Sequence, residues 1–412
     1  MVFIKNLINI TFYKLILMKH ILICHKVVPE TQYASEYEYI QNNFFGDVIY
    51  DIDDIPSDVI MYVCGDVANN FDQFQNTIFV IKELSTNYLT DSTHYQIMTT
   101  GAVPINICHA GVYFRNLFSF TDTNFFETIS HDHQFQSLTE SNKTSNAFRK
   151  GIYLSKVEKI ENDLHFNLLR CSSNLDGPTE NFRIVDHVIL YKTNEVAKRC
   201  FDNCADLNHV LAQIYYNKIE VVGNRNTEKK AKISAHSDKT KDMPSNGLIA
   251  FCTFYENFTK DPKFKQIKKS ESNIFDYCYN DTSVFTNLYF KLKNTVTDTS
   301  LVPEFNVVLY PNSVFIISLE TNRLYTHEIR PSILPIDKIP TRMGYVMRCS
   351  KTIGVFKDGQ TYINDVKLEG PDSVGVAKLK KLYLEENITH NQINYGNIYF
   401  SLNEGDYLQP TL

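Results

Sequence analysis

Three kinds of side chain, in order along the chain, could build a metal site with an anion beside it: His236 with Asp238, then His327, then Arg342 with Arg348. In Lys232-Ile233-Ser234-Ala235-His236-Ser237-Asp238 the histidine and the carboxylate are two residues apart, so on a strand they face the same way while Ile233 and Ala235 face the other. Two imidazoles and one carboxylate on one face of an ion leave its other face open. That is the ligand set of a non-haem Fe(II) centre, and it differs from a closed four-ligand zinc site. A His-x-Asp triplet alone has little specificity, so a third ligand is required. His327, in Leu324-Tyr325-Thr326-His327-Glu328-Ile329, lies on a later strand that can return beside the first; its other reading is a strand-end histidine with no ligand role. Arg342 and Arg348 share one face of the strand after that. Two guanidiniums aimed inward need an anion, and their fork matches a carboxylate; the alternative is a solvated face.

The elements that carry these residues read as strands. Apolar runs at Leu164 to Leu169, Ile184 to Tyr191, Val210 to Tyr216, Lys232 to His236, Leu248 to Tyr255, Val307 to Tyr310, Val314 to Leu319, Tyr325 to Ile329 and Tyr345 to Phe356 are separated by turn-rich segments, a pattern that predicts an antiparallel sandwich or barrel. A capped amphipathic helix is expected behind Thr121-Asp122-Thr123, with Phe125, Phe126 and Ile129 on its apolar face. His131-Asp132-His133 after it reads as a solvated helix end rather than a metal site. The first hundred residues predict a small α/β unit, with strands at His20 to Cys24, Val48 to Tyr50 and Val59 to Cys64 and helices around Glu36 to Asn42 and Phe71 to Leu84. It carries no glycine-rich phosphate loop and no nucleophile elbow. A last helix is expected at Val376 to Glu385 behind Pro371-Asp372-Ser373, and a final apolar run at Ile398 to Leu402. The expected division is residues 1–17 as an extension outside the fold, 18–108 as the α/β unit, 109–358 as the β-rich unit and 359–412 as a C-terminal extension packed on it.

With 412 residues, 43% of them hydrophobic and 21% charged, the chain has enough apolar surface to bury a full core. Its formal charge of -6 excludes a wholesale basic surface, so any nucleic-acid site has to be local. Nine cysteines, an odd number with no CxxC pair, fit a reducing compartment, cytoplasmic or nuclear, better than a secreted disulfide framework. Cys200 and Cys204, four apart, read as one buried helix face. The apolar stretch Val2 to Cys24 is interrupted by Lys5, Asn6, Asn9, Lys14, Lys19 and His20, which argues against a membrane anchor; a cleaved signal is the lesser alternative.

His236-Ser237-Asp238-Lys239, a distal His327, and Arg342 with Arg348 at RxxxxxR spacing together resemble the ordered signature of the AlkB-like Fe(II)/2-oxoglutarate dioxygenases, over roughly residues 109 to 356. The resemblance implies a double-stranded β-helix (jelly-roll) core with flanking helices, an α+β fold preceded by the small α/β unit. It implies Fe(II) on His236, Asp238 and His327, 2-oxoglutarate as co-substrate and O2 as oxidant. It also implies that Arg342 binds the far carboxylate of 2-oxoglutarate and Arg348 helps hold its near end. Asn208-His209-Val210-Leu211-Ala212-Gln213-Ile214-Tyr215 looks like the family strand that offers an amide and a tyrosine hydroxyl to 2-oxoglutarate, which assigns those roles to Gln213 and Tyr215. Two positions depart from the pattern: Gly344 stands where the family often has Asn, and Gln213 replaces the usual Asn. Between Tyr216 and Ala231 lies an insertion relative to the family's short loop.

Family members hydroxylate N-methyl carbons of nucleobases, and the product loses formaldehyde. By that resemblance the expected substrate is a methylated base in nucleic acid, single-stranded or flipped out. From Arg225 to Lys269 there are eleven Lys or Arg against five Asp or Glu, a local excess in an acidic chain, and Arg225, Lys229, Lys230, Lys232, Lys239 and Lys241 are the candidates to track a phosphate backbone. A solvated lysine face explains the same residues equally well. The competing functions are a hydroxylase of a protein or small molecule on the same scaffold, and a metal-free barrel that binds or supports.

Overall fold

Period-two burial and antiparallel pairing organise most of the chain, with helices at the margins. The computed structural model describes residues 19–27, 29–52, 55, 59–67, 76–89, 95–139, 146–171, 175–223 and 225–412. The expected extension 1–17 and the first residues of the expected Phe71 helix lie outside them. The fold is mixed α+β and sheet-rich. It divides into one unit of residues 1–106 with 194–204 and another of 107–193 with 205–412.

The first unit holds a five-stranded sheet in the order Asp47–Ile49, Lys19–His25, Val59–Asp66, Ile78–Thr86, Tyr95–Met98, every pair parallel. Its central strands read as continuous apolar runs because a parallel sheet is covered on both faces; Ile21, Ile23, Met61, Val63, Ile78 and Val80 form one buried cluster. The expected helix is present at Ala34–Asn43. The expected Phe71 to Leu84 helix is corrected where it is described: Ile78–Thr86 is a strand, and the four buried residues at its start, Ile78 to Ile81, suit a covered strand rather than one helix face.

In the second unit the larger sheet runs Asn146–Ser155, His209–Tyr215, Arg342–Arg348, Leu248–Tyr255, Ser313–Ser318, Gly111–Phe114, all antiparallel. A smaller antiparallel sheet runs Ile233–His236, Tyr325–Ile329, Asn287–Leu292, Glu304–Val308. The two meet through aromatic rings: Phe251 of the first lies 6.4 Å from Phe290 and 5.2 Å from His327 of the second, and Phe290 lies 5.6 Å from Phe315. Alternation decides which side chains enter this core. Tyr325, His327 and Ile329 are buried while Thr326 and Glu328 between them are not.

Several expectations are corrected here. Ile184 to Tyr191 is the start of a helix, Ile184–Cys200, whose buried residues Val185, Ile189, Thr193, Val196, Ala197 and Cys200 follow helical spacing while Ile184 and Tyr191 are exposed. Cys204 falls beyond its end, and all nine cysteines are free thiols. Tyr345 to Phe356 is two strands, Arg342–Arg348 and Thr352–Lys357, in different sheets. Gln360–Ile363, just past the expected boundary at 358, pairs with Thr352–Lys357 and extends its sheet. The Phe125–Asp132 helix is capped by Asn124, whose side chain accepts from Glu127 N, rather than by the Thr-Asp-Thr before it. The last helix, Ser373–Ile388, is capped by Asp372, which accepts from Val374 N and Gly375 N. Among the described residues no helix is long and apolar enough to cross a membrane.

Candidate metal centre and anion pocket

The strand that delivers His236 is short and irregular. It pairs with Tyr325–Ile329 at Ile233↔Ile329 and His236↔His327, three residues against two, so a bulge intervenes and the strand stops at His236. Asp238 therefore does not share a strand face with His236, as the two-residue spacing predicts; it lies in the turn that follows. Side-chain amides hold that turn. Asn322, on the short helix Leu319–Leu324, accepts from Asp238 N and donates to Asp238 O, both at 2.9 Å. Asn387, near the end of the last helix, accepts from Ser237 N at 3.0 Å and from the Lys239 ammonium, and Ser237 Oγ donates to Tyr325 O.

This brings His236, Asp238 and His327 together, with one ligand atom from each all within 4.8 Å of one another. The residues fit an ion on three further counts. The His236 Nδ1 is 2.9 Å from Ser234 O, a bond that takes the ring proton and leaves Nε2 as a lone pair, 3.7 Å from Asp238 Oδ1. Asp238 Oδ2 accepts from Arg348 Nε at 2.8 Å, so its other oxygen is free. His327 Nδ1 is buried with no hydrogen-bond partner among the described residues. Burial pushes the His327 ring down to about 3 and lowers His236, so both are neutral as ligands must be. Burial opposes the charge on Asp238, but the Arg348 guanidinium, by charge and by hydrogen bond, together with the neighbouring imidazoles holds the carboxyl well below the usual range.

The opposite wall of the same cavity, about 1480 Å³ in volume, is the larger sheet. Across one rung lie Arg149, Tyr215 and Arg342; two residues along, on the same face, lie Gly151, Gln213, Gly344 and Thr253. Arg342 is buried and stacks its guanidinium 4.2 Å from the Tyr215 ring centre. Its side chain has no ion pair or hydrogen bond among the described residues. The Tyr215 hydroxyl donates to Gln213 Oε1 at 2.7 Å, which leaves Gln213 its N–H donors. Gly344 has a steric reason: a Cβ there would stand 3.0 Å from Arg342 Nη1 and 3.3 Å from Tyr215 Cε2. Arg348 is buried on the metal side and leaves Nη1 without a partner. All seven residues named from the sequence, His236, Asp238, His327, Arg342, Arg348, Tyr215 and Gln213, line this one cavity.

The basic residues divide. Lys239 and Lys241 are corrections. Lys239 is buried and donates to Ser237 O and Tyr383 O at 3.1 Å, tying the turn to the last helix, and Lys241 is buried against Asp242 at 3.2 Å. Neither can meet a phosphate backbone. Lys229, Lys230 and Lys232 line the cavity mouth; Arg225 is exposed on the insertion but does not. The insertion is a hairpin, Lys218–Val222 with Arg225–Lys229, which pairs only with itself.

Sequence reasoning missed Asn322 and Asn387, since nothing local marks an amide that clamps a turn from another element. It also misread His133. His131 is exposed as expected, but His133 is buried between Glu180 and Asp186, 2.8 Å from each, with the Tyr345 hydroxyl donating to Asp186. Burial disfavours a charged ring there, and the two carboxylates overcome it, raising His133 to about 9. No protein-family model matches the chain, and no curated protein matches it.

Proposed function

We propose that the chain is an AlkB-like Fe(II)/2-oxoglutarate-dependent dioxygenase that oxidises, and so demethylates, a methylated nucleobase. The observation that carries the reading is the pairing, in one cavity, of two neutral histidines and an ionised aspartate with a buried guanidinium, Arg342, that has no counter-ion among the described residues. An unpaired buried charge is costly, and a site built to receive a carboxylate removes that cost when its ligand binds. When bound, the metal supplies O2 activation at the expense of 2-oxoglutarate, a division of labour in which the protein orients and excludes water.

The residues do the rest. His236, Asp238 and His327 would hold the metal on one side and leave its cavity side open. Arg342, backed by the Tyr215 ring, would take the far carboxylate of 2-oxoglutarate, and Gln213 would donate to it. Arg348 fixes the Asp238 carboxylate and keeps it ionised. The AlkB-like order of these residues and the lysines at the mouth support a nucleic-acid substrate, and the facing antiparallel sheets are compatible with a double-stranded β-helix.

Anaerobic titration with Fe(II) and 2-oxoglutarate tests the first half. A visible charge-transfer band that needs both components is expected, and its absence overturns the reading. Formaldehyde release from methylated oligonucleotides beside a peptide panel tests the second; turnover confined to peptides would transfer the same chemistry to a protein substrate.

A further inference from the structure

A dicarboxylate that reaches from the metal to Arg342 uses only one of two guanidiniums on its rung. Arg149, in the strand Asn146–Ser155, stands level with Tyr215, which stands level with Arg342. It lines the cavity, it has no ion pair or hydrogen bond among the described residues, and its Nε is buried without a partner. The strand that carries Tyr215 runs between the strands of Arg149 and Arg342, and the Tyr215 ring is stacked on Arg342. The same cavity is lined by Lys218, Lys229, Lys230 and Lys232. Glu220 neutralises Lys218 at 2.9 Å and Glu228 neutralises Lys230 at 3.1 Å. Lys229 and Lys232 have no ion pair among the described residues, which leaves their positive charge in the same cavity as Arg149.

We infer that Arg149 is a substrate-anchoring residue: its guanidinium takes a backbone phosphate of a single nucleic-acid strand, next to the nucleotide whose base enters toward the metal. The inference rests on the nucleic-acid reading above. A planar fork suits the two free oxygens of a phosphate diester, and its depth sets how far the strand enters, while Lys229 and Lys232 supply point charges at the rim.

Binding of a labelled single-stranded oligonucleotide to the full chain, measured by anisotropy over a salt series, tests this with Arg149→Gln and Arg149→Lys. Arg149→Gln should weaken binding about tenfold and flatten the slope of log K against log salt by about 0.7, with the 2-oxoglutarate charge-transfer titration unchanged. Arg149→Lys should restore the slope and only part of the affinity. Unchanged strand binding in Arg149→Gln overturns the inference, as does a lost 2-oxoglutarate complex with strand binding intact, which would move Arg149 to the co-substrate. A mononucleotide that binds as tightly as the strand overturns the strand and keeps only the phosphate. A wild-type chain that forms the 2-oxoglutarate complex but binds no oligonucleotide overturns this inference and spares the iron reading; one that does neither overturns both.

Discussion

The two walls of the cavity fix their charged groups by different means. Arg342 and Arg348 lie on a strand paired along its length on both sides, by His209–Tyr215 and by Leu248–Tyr255, so backbone hydrogen bonds set their spacing. The facing wall has a four-residue strand with a bulge, and its carboxylate lies past the strand's end, held by Asn322 and Asn387. A closed sheet can hold two cations at a fixed distance with little help. A turn can place a carboxylate off the strand direction only if other elements clamp it, and so the wall with the His-Asp-His cluster depends on residues remote in sequence.

The sharpest way to break this contrast is Asp238→Asn. It removes a ligand and leaves the buried Arg348 without its counter-ion. Metal binding should be abolished and the fold destabilised by about 3–5 kcal/mol, read by metal titration and urea unfolding. Full metal affinity in this variant would remove Asp238 from the site.

The arginine wall can be loosened from behind. Tyr345 lies between Arg342 and Arg348 on the same strand but binds Asp186, which also holds His133. Because the folded ring titrates near 9 instead of 6.5, its contribution is fully present below about pH 6.5 and lost as pH rises through 9. At about 1.4 kcal/mol for each tenfold change in proton affinity, that is worth roughly 3 kcal/mol. The urea midpoint should fall between pH 6 and pH 9.5, and His133→Gln should lose most of that fall.

Arg342→Leu should leave metal binding intact and weaken 2-oxoglutarate by about ten- to hundredfold, with Arg342→Lys a partial rescue, both read by the charge-transfer titration. The smallest effect belongs to the clamp. Asn387→Ala should weaken the metal about tenfold while 2-oxoglutarate affinity at saturating metal barely moves. Equal losses of metal and 2-oxoglutarate would mean that the two walls are not held independently.

The residues that meet in the cavity were legible because their chemistry is carried by side-chain type and order: His236, His327, Arg342 and Arg348 lie on strands, and Asp238 was marked by its spacing from His236 although it lies past the strand's end. What was not legible is tertiary. The Ile184 run is equally apolar as strand or helix over eight residues, and only the continuation to Cys200 at helical spacing decides it. Lys239 looks like any surface lysine until the last helix presents a carbonyl and an amide oxygen to it. Asn322 and Asn387 lie about 80 and 150 residues from the turn they grip, so no local pattern marks them. The strand was read two residues too long, through Asp238, yet the pair still converges, because the clamps do what the pleat was expected to do.

Among the described residues the strands of the insertion hairpin pair with each other and with neither sheet. Its length and composition can therefore change by whole residue pairs without shifting the register of any strand that carries a ligand or an arginine. Ile219 and Val221 stay exposed along it, so such changes remove no buried core. In descent or in the laboratory, the hairpin is where this scaffold can be retailored as an exchangeable cassette, with the interior left as it is.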